Sequence, residues 1–273
     1  MSSTAKATVW KVNLTEDSIL MIDEEVAVEV PVNIYINKQH IVTLLTSPSM
    51  LTELAVGHLF TQGFLEDKTV IDEVLVAGTD IHVKLKPEVK IELESSKLGR
   101  VVTTACTSLV DYLQLVVRLK ANIKSDYQIS AEEVVRMVAE LNDHSRIFKV
   151  TGGVHSAAIF ESGRMIAFTE DVGRHNAVDK VIGASILKDA DLGRAGLVTS
   201  GRQPADIVAK AAQMGIPFSI SISGPIHSGV KFAEKVGITL ICFARGKRFN
   251  IYSSPDRVRM SNGTPVQDKP KYS

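Results

Sequence analysis

The sequence predicts an α/β protein built from a small α+β unit followed by a larger α/β unit. Two patterns carry this. The last third runs strand, helix, strand, helix, strand with short connections, which implies a parallel sheet with right-handed crossovers. The first third pairs short alternating strands with one apolar-striped helix. The chain has 273 residues, which suits one large or two ordinary domains. The expected boundary falls in polar Lys120–Gln128. It gives a small domain at 1–128 and an α/β domain with a polar tail at 129–273.

Residues 1–24 read as a loosely held lead-in. Val26–Ile36 alternates apolar and polar side chains, Ile41–Leu45 is a second apolar run, and Asn37-Lys38-Gln39 between them suits a hairpin turn. Ser47 and Pro48 are placed as N-cap and first-turn proline of a helix. That helix carries Leu51, Leu54, Ala55, His58 and Leu59 on one stripe, and Gly63 can end it. Val70–Val76 and Ile81–Leu85 read as strands around Gly78-Thr79-Asp80. Thr103-Thr104-Ala105-Cys106-Thr107-Ser108 is a small, hydroxyl-rich loop before a helix with Leu109, Tyr112, Leu113 and Val116 in register. Ser130 and Glu133 have capping-box spacing and open a helix with Val134, Val138 and Leu141 inward.

Thr151-Gly152-Gly153-Val154-His155 leads into the apolar strand Ala157–Phe160 and a hairpin-like segment. Asp171-Val172-Gly173-Arg174-His175-Asn176 then starts a helix, its acids sitting where helix-start acids belong, and the buried side of that helix is Val178, Val181 and Ile182. Gly196–Thr199 is a strand, Pro204–Met214 a helix, Pro217–Ile222 a strand, His227–Val236 a helix and Ile238–Phe243 a strand. Residues 255–273 read as a mobile tail.

Composition excludes several functions. Lys+Arg and Asp+Glu are equal at 31 each and aromatics are 5%, so neither a basic field nor stacking platforms argue for nucleic acid. No apolar run approaches the roughly 20 residues of a membrane span, and Met1–Lys11 lacks a signal-peptide core. A cytoplasmic protein is expected. The two cysteines, Cys106 and Cys242, cannot form a disulfide framework or a four-cysteine zinc site. No metal site is expected.

In an open parallel sheet, ligands sit beyond the carboxyl ends of the strands. Three loops leave such ends: Ser200-Gly201-Arg202-Gln203, Ser223-Gly224-Pro225-Ile226-His227 and Ala244-Arg245-Gly246-Lys247-Arg248. Glycines, helix-start amides and arginines at one edge suit a phosphate-bearing ligand. His175 and Asp179, four apart, share a helix face, as do Asn176 and Lys180. His175 and Asp179 lie near the edge of the buried side, which suits a half-buried site. His155, after two glycines, is an ambiguous candidate. Cys106 precedes a helix, where the thiolate is favoured. Cys242, in an apolar strand, fits an inert thiol.

These motifs together resemble the formate dehydrogenase accessory sulfurtransferase family, FdhD/NarQ. The resemblance covers nearly the whole chain and rests on Thr103–Cys106, Thr151–Ala157, Glu170–Lys180, Ser200–Arg202 and Gly237–Asn250. It implies a cytidine-deaminase-like three-layer α/β/α domain after the α+β unit. It implies a sulfur carrier that accepts sulfur from a cysteine desulfurase as a Cys106 persulfide and delivers it to molybdenum bis(molybdopterin guanine dinucleotide), bound as cargo for formate dehydrogenase. By position, Cys106 would be the catalytic residue. Phe243, Ala244, Arg245, Gly246, Lys247 and Arg248 would hold the cofactor. Ser200, Gly201, Arg202, His155, Arg174, His175, Asn176 and Asp179 complete the expected binding set. A GDP-like nucleotide should mimic the cargo, and a homodimer is expected.

One departure stands out. Many family members have Cys-x-x-Cys in the loop, whereas Leu109 occupies the second position here. The alternative is therefore a cofactor-binding chaperone without sulfur chemistry. A zinc deaminase is disfavoured, because no glutamate lies two residues after His155 and no cysteine pair follows.

Overall fold

In the computed structural model, residues 1–89, 100–102, 122–261 and 263–266 are described. Cys106, its loop and the helix expected after it lie outside them. The chain opens with a hairpin, β1 (Thr4–Asn13) and β2 (Ser18–Ala27), paired antiparallel from Thr4↔Ala27 to Asn13↔Ser18. The loosely held lead-in is therefore corrected to a regular two-stranded element. Its side chains are largely exposed, so it leaves no one-sided apolar alternation to read.

A five-stranded sheet follows, from β3 (Val30–Ile36), β4 (Gln39–Thr46), β5 (Ile71–Ala77), β6 (Asp80–Leu85) and β7 (Arg100–Val102), in the order β5-β6-β3-β4-β7. Asn37 and Lys38 both have positive φ, 46° and 72°, as a tight hairpin turn of the primed type requires. Val32, Ile34, Ile81 and Val83 turn inward under α1 (Leu51–Thr61). Helix α1 does not use Ser47 as its cap. Met50 stands there in left-handed conformation with no side-chain bond, because Ser47 is bonded to a distant segment.

The second sheet has the order β10-β9-β11-β12-β13-β14. It comprises β9 (His155–Glu161), β10 (Arg164–Asp171), β11 (Ala195–Thr199), β12 (Phe218–Ser221), β13 (Thr239–Arg245) and β14 (Arg248–Ile251). Strands β11, β12 and β13 are parallel, as their crossovers require. Strands β9, β10 and β14 are added antiparallel. The last strand of the β-α-β-α-β run extends to Arg245 and turns back into β14, so Arg248 belongs to a strand.

Both faces of this sheet are covered, which makes three layers. On one face lies the helix Ala131–His144, here α2, which follows the short strand β8 (Ile129–Ser130). Its capping box is complete: Glu133 N donates to Ser130 Oγ at 3.1 Å and Ser130 N to Glu133 Oε2 at 2.7 Å. Val134, Met137, Val138 and Leu141 meet Ala158, Phe160, Val198 and Ile220. Beyond α2 comes the short helix α3 (Arg146–Thr151). On the other face lie α4 (Arg174–Leu187), α5 (Ala205–Gln213) and α6 (His227–Val236). The expected mobile tail is also corrected at residues 255–261 and 263–266. Val258–Arg259 (β15) pairs with Ile129–Ser130, and Arg257 donates to the carbonyls of Ile123, Ser125 and Gly237.

One apolar cluster runs from the five-stranded sheet through α1 to α4, α5 and α6. Helices α1 and α4 cross at Gly57 and Gly183. A Cβ on Gly57 would stand 1.8 Å from the backbone oxygen of Asp179, and one on Gly183 1.9 Å from that of Glu53. Only glycine lets the backbones approach this closely. Gly57→Ala should therefore cost about 3 kcal/mol by forcing the helices apart. Urea unfolding checks this, and a change under about 0.5 kcal/mol, the usual range of a surface substitution, would refute the close crossing.

Candidate functional site

The reversed direction of β9 and β10 decides what gathers at the carboxyl edge of the parallel strands. Because β9 runs against β11, its first residue, His155, lies where β11 ends. Because β10 runs against β9, its last residue, Asp171, pairs with His155 at the same edge. The turn Val172–Gly173 and the start of α4 are thus delivered beside Ser200–Gln203.

Hydrogen bonds tie the loops together. Ser200 Oγ accepts from Ser156 N at 2.9 Å and lies 3.4 Å from His155 Nδ1. Ser223 Oγ donates to Ser200 O at 2.9 Å. Phe243 N donates to Ser223 O at 3.0 Å, and Arg245 Nε to Ile222 O at 2.9 Å. The structure thus brings His155, Ser200, Gly201, Phe243 and Arg245 into one bonded series along the edge.

Arg174 lies across Gly201, where an added Cβ would be 3.1 Å from Arg174 Cβ. Its Nε is buried and has no hydrogen-bond partner. Such a group normally finds one, so this donor fits an anion. Arg202, in the next position of the loop, is exposed. His155 registers the resulting field. Burial holds its pKa below the ordinary histidine value, and Arg174, His175 and Arg202 push it further down, against Asp171. His155 is therefore a neutral hydrogen-bonding imidazole near pH 7. His175 Nε2 lies 2.9 Å from Asp206 Oδ2 in the first turn of α5. Asp206 escaped the sequence reading, since nothing local links residues 31 positions apart.

At Phe243 the backbone is left-handed, φ 54°, and the pairing of β13 with β14 slips between Cys242 and Arg245. A bulky residue in that conformation is strained. The slip leaves the ring 43% exposed and against Gly224, where a Cβ would meet Cζ at 2.8 Å. Ala244 is buried and Gly246 turns the chain with φ 57°. Lys247 and Arg248 face elsewhere. They line a recess of about 840 Å³ with Ala131, Tyr252, Met260 and Val266, away from the residues around Ser200.

Asp179 is spent inside the protein, not at the margin expected for it, and Asn176 is spent there too. Asn176 Nδ2 donates to Leu45 O at 2.7 Å. Asp179 is 1% exposed and accepts from Lys210 Nζ at 2.5 Å and Thr61 Oγ1 at 2.7 Å, with His58 Nδ1 at 3.1 Å. Burial pushes its carboxyl upward, but Lys210 and His58 outweigh that and hold it at about 2. Asp171 binds the two halves of the molecule. Its Oδ2 accepts from Lys180 Nζ at 2.5 Å, Thr46 Oγ1 at 2.6 Å and Ser47 N at 3.1 Å. Its Oδ1 accepts from Gly173 N at 2.8 Å. Glu170 accepts from Ile147 N and Phe148 N at the start of α3. The acids assigned to the start of α4 are therefore corrected: neither lies in its first turn. Cys242 is buried, and burial pushes its thiol up to about 12, which suits an inert residue. Among the described residues, no three His, Cys, Asp or Glu group as a metal site.

The profile of the FdhD/NarQ family matches residues 27–259. The chain belongs to that family. It is 32% identical over 252 residues to the sulfur carrier protein FdhD of Sulfolobus acidocaldarius, covering 91% of this chain and 97% of that one. It is 31% identical over 263 residues to the sulfur carrier protein FdhD of Bacillus subtilis, covering 94% and 98%. A crystal structure of a formate dehydrogenase accessory protein from Desulfotalea psychrophila matches with TM-score 0.78 and 28% identity, over 94% of this chain and all of that one. The mixed α/β fold seen here is thus shared with an FdhD-type accessory protein. Among the described residues, no helix is long and apolar enough to cross a membrane.

The Asp179–Lys210 pair predicts an acid response. A carboxyl whose folded value of about 2 lies below its ordinary 3.8 stabilises the fold above pH 3.8 and loses that contribution as pH falls toward 2. Lys210→Met leaves a buried uncompensated carboxylate and should cost about 3–5 kcal/mol at pH 7. Protonation then relieves the defect, so the variant should gain stability relative to wild type on acidification. Urea midpoints measured from pH 7 to 3 check this, and parallel curves for the two proteins would refute it.

Proposed function

We propose that this protein carries sulfur for formate dehydrogenase maturation. It accepts a sulfane sulfur from a cysteine desulfurase on Cys106 and passes it to molybdenum bis(molybdopterin guanine dinucleotide), held as cargo by its guanine nucleotide ends. The observation that carries the cargo half is the buried, unpartnered Nε of Arg174 lying over Gly201. A phosphate there would complete a charge-assisted bond, with the exposed Arg202 beside it. Phe243, exposed and left-handed at the same edge, offers a flat face to a base. The site works in the cytoplasm, where thiols are kept reduced.

The sulfur half rests on family membership and on Cys106 itself. Its thiolate attacks the outer sulfur of the desulfurase persulfide. A new S–S bond forms on Cys106 as the old one breaks, and the desulfurase cysteine leaves as thiolate. Nothing is oxidised overall, so one cysteine suffices and Leu109 does not prevent this step. Leu109 does support a second reading, a cofactor chaperone that carries no sulfur.

Two measurements separate these. Incubation with a cysteine desulfurase and cysteine should add the mass of one sulfur atom to Cys106 and none to Cys242. No adduct on Cys106, together with cellular formate dehydrogenase maturation that survives Cys106→Ala, would replace the carrier with the chaperone. GDP should bind the purified protein. Arg174→Ala should weaken it about 10- to 100-fold, the worth of a hydrogen bond to a charged group. Calorimetry reads this, and unchanged affinity removes the cargo assignment.

A further inference from the structure

Asp206 is an acid at a positive edge, where its charge alone would repel a phosphate. It stands in the first turn of α5, as helix-start acids do, but its two oxygens are divided. Oδ1 accepts from Ile207 N at 2.8 Å, which fixes the carboxylate against its own helix. Oδ2 is turned across to α4, 2.9 Å from His175 Nε2. Holding the two helices together does not require this contact. Asp179 and Lys210 already join α4 to α5 in the interior, and Thr61 and His58 close that pair off. The Asp206–His175 pair is left open instead, with side chains 15% and 13% exposed. It lies at the helix ends beside the Ser200–Gln203 loop, one residue after Arg174.

His175 Nε2 is committed to Asp206, so Nδ1 is the ring nitrogen left for a ligand. A neutral ring that donates from Nε2 presents a lone pair at Nδ1, which repels a phosphate oxygen. A protonated ring presents N–H at both nitrogens. An imidazole between a carboxylate and a phosphate is faced by two anions and takes a proton as the second arrives. His155, across the edge, is surrounded differently. Its hydrogen-bonding neighbour is the hydroxyl of Ser200, and burial with Arg174, His175 and Arg202 keeps it neutral. Opposed surroundings for two titratable groups are how one site keeps a donor and an acceptor side by side.

The other charges near His175 are accounted for. Asp179 is bonded to Lys210, and Lys180 to Asp171 at the end of β10. On α1, His58 bonds Asp179 and Glu53 acts on Lys180. Arg174 and Arg202 oppose a proton on His175 in the empty site, Asp206 favours one, and a phosphate tips the sum toward the proton.

We propose that Asp206 is a positioning residue acting through His175, so that a phosphate-bearing ligand at this edge binds together with a proton. The proton comes from the solvent and sits on Nδ1. This coupling rests on the edge being the guanine nucleotide site, and it names the group that links that site to pH.

GDP titrated calorimetrically into the full chain at pH 8, where its phosphates are ionised, should draw protons from the buffer. The apparent heat should therefore differ between buffers of different ionisation enthalpy. Affinity should rise by up to about tenfold from pH 8 to pH 7, the limit for one linked proton. Asp206→Asn keeps an acceptor for Nε2 and removes the charge. It should lose the proton uptake and bind about tenfold more weakly at pH 7, and Asp206→Glu should restore both in part. His175→Gln offers Asp206 an amide donor and does not titrate, so its affinity should be the same at pH 8 and pH 7. A contact that served structure alone would leave these pH profiles alike. Wild-type binding without proton uptake, or uptake that persists in His175→Gln, overturns the coupling and leaves the nucleotide site standing. GDP that binds at no pH removes site and coupling together. Should Asp206→Asn not fold, wild type and His175→Gln decide.

Discussion

The rest of the molecule depends on the crossing of α1 and α4. Two backbones meet there with no side chain between them, at Gly57 and Gly183. Two buried ion pairs involve α4 near this crossing, Asp171–Lys180 and Asp179–Lys210. Buried pairs seldom add stability over an apolar substitute, because desolvation offsets the attraction. Here each is also bonded to the first half of the chain, Asp171 to Thr46 and Ser47 and Asp179 to Thr61 and His58. A sliding of one half over the other would leave charges without partners. The polar groups thus fix the register that the apolar cluster alone would permit to vary.

That register reaches the site through one carboxylate. Asp171 holds Ser47 N and Lys180 with one oxygen and Gly173 N with the other. The turn between β10 and α4 is thereby fixed, and Arg174 follows it directly. Arg174 then needs no hydrogen bond of its own to lie across Gly201. Rigidity supplied from below leaves the donor above free for a ligand, which is how a pre-organised binding group differs from a satisfied structural one.

The features legible in sequence were those set by local rules. The Ser130–Glu133 capping box, the Asn37–Lys38 turn and the β-α-β-α-β run each depend on residues close in the chain. What was misread depends on distance or exposure. Ser47 has the side chain of a cap, but Asp171, 124 residues away, claims its amide. Arg257 looks like a tail residue until carbonyls of the 123–125 segment and Gly237 receive it. Asp179 carries the same helix-face spacing as a surface pair, and burial alone distinguishes it. The edge cluster was legible in part. Strand-end logic marks Ser200–Arg202 and Phe243–Arg245, but the antiparallel placing of β9 and β10, which adds His155 and Arg174, has no local signal.

The chain as a whole is balanced, with as many acids as bases, yet this edge is positive. The reason is an uneven use of the motif Glu170–Lys180. Its acids are consumed inside: Glu170 by the start of α3, Asp171 by Lys180 and Thr46, Asp179 by Lys210 and Thr61. Its lysine is buried with them. Arg174 is left at the surface side with a donor unmet, next to Arg202, and His155 between them is pushed toward its neutral form. Local charge here arises by removing anions from the edge. A sequence count of charges across this motif, which sees three acids against Arg174, His175 and Lys180, therefore gives no sign of it.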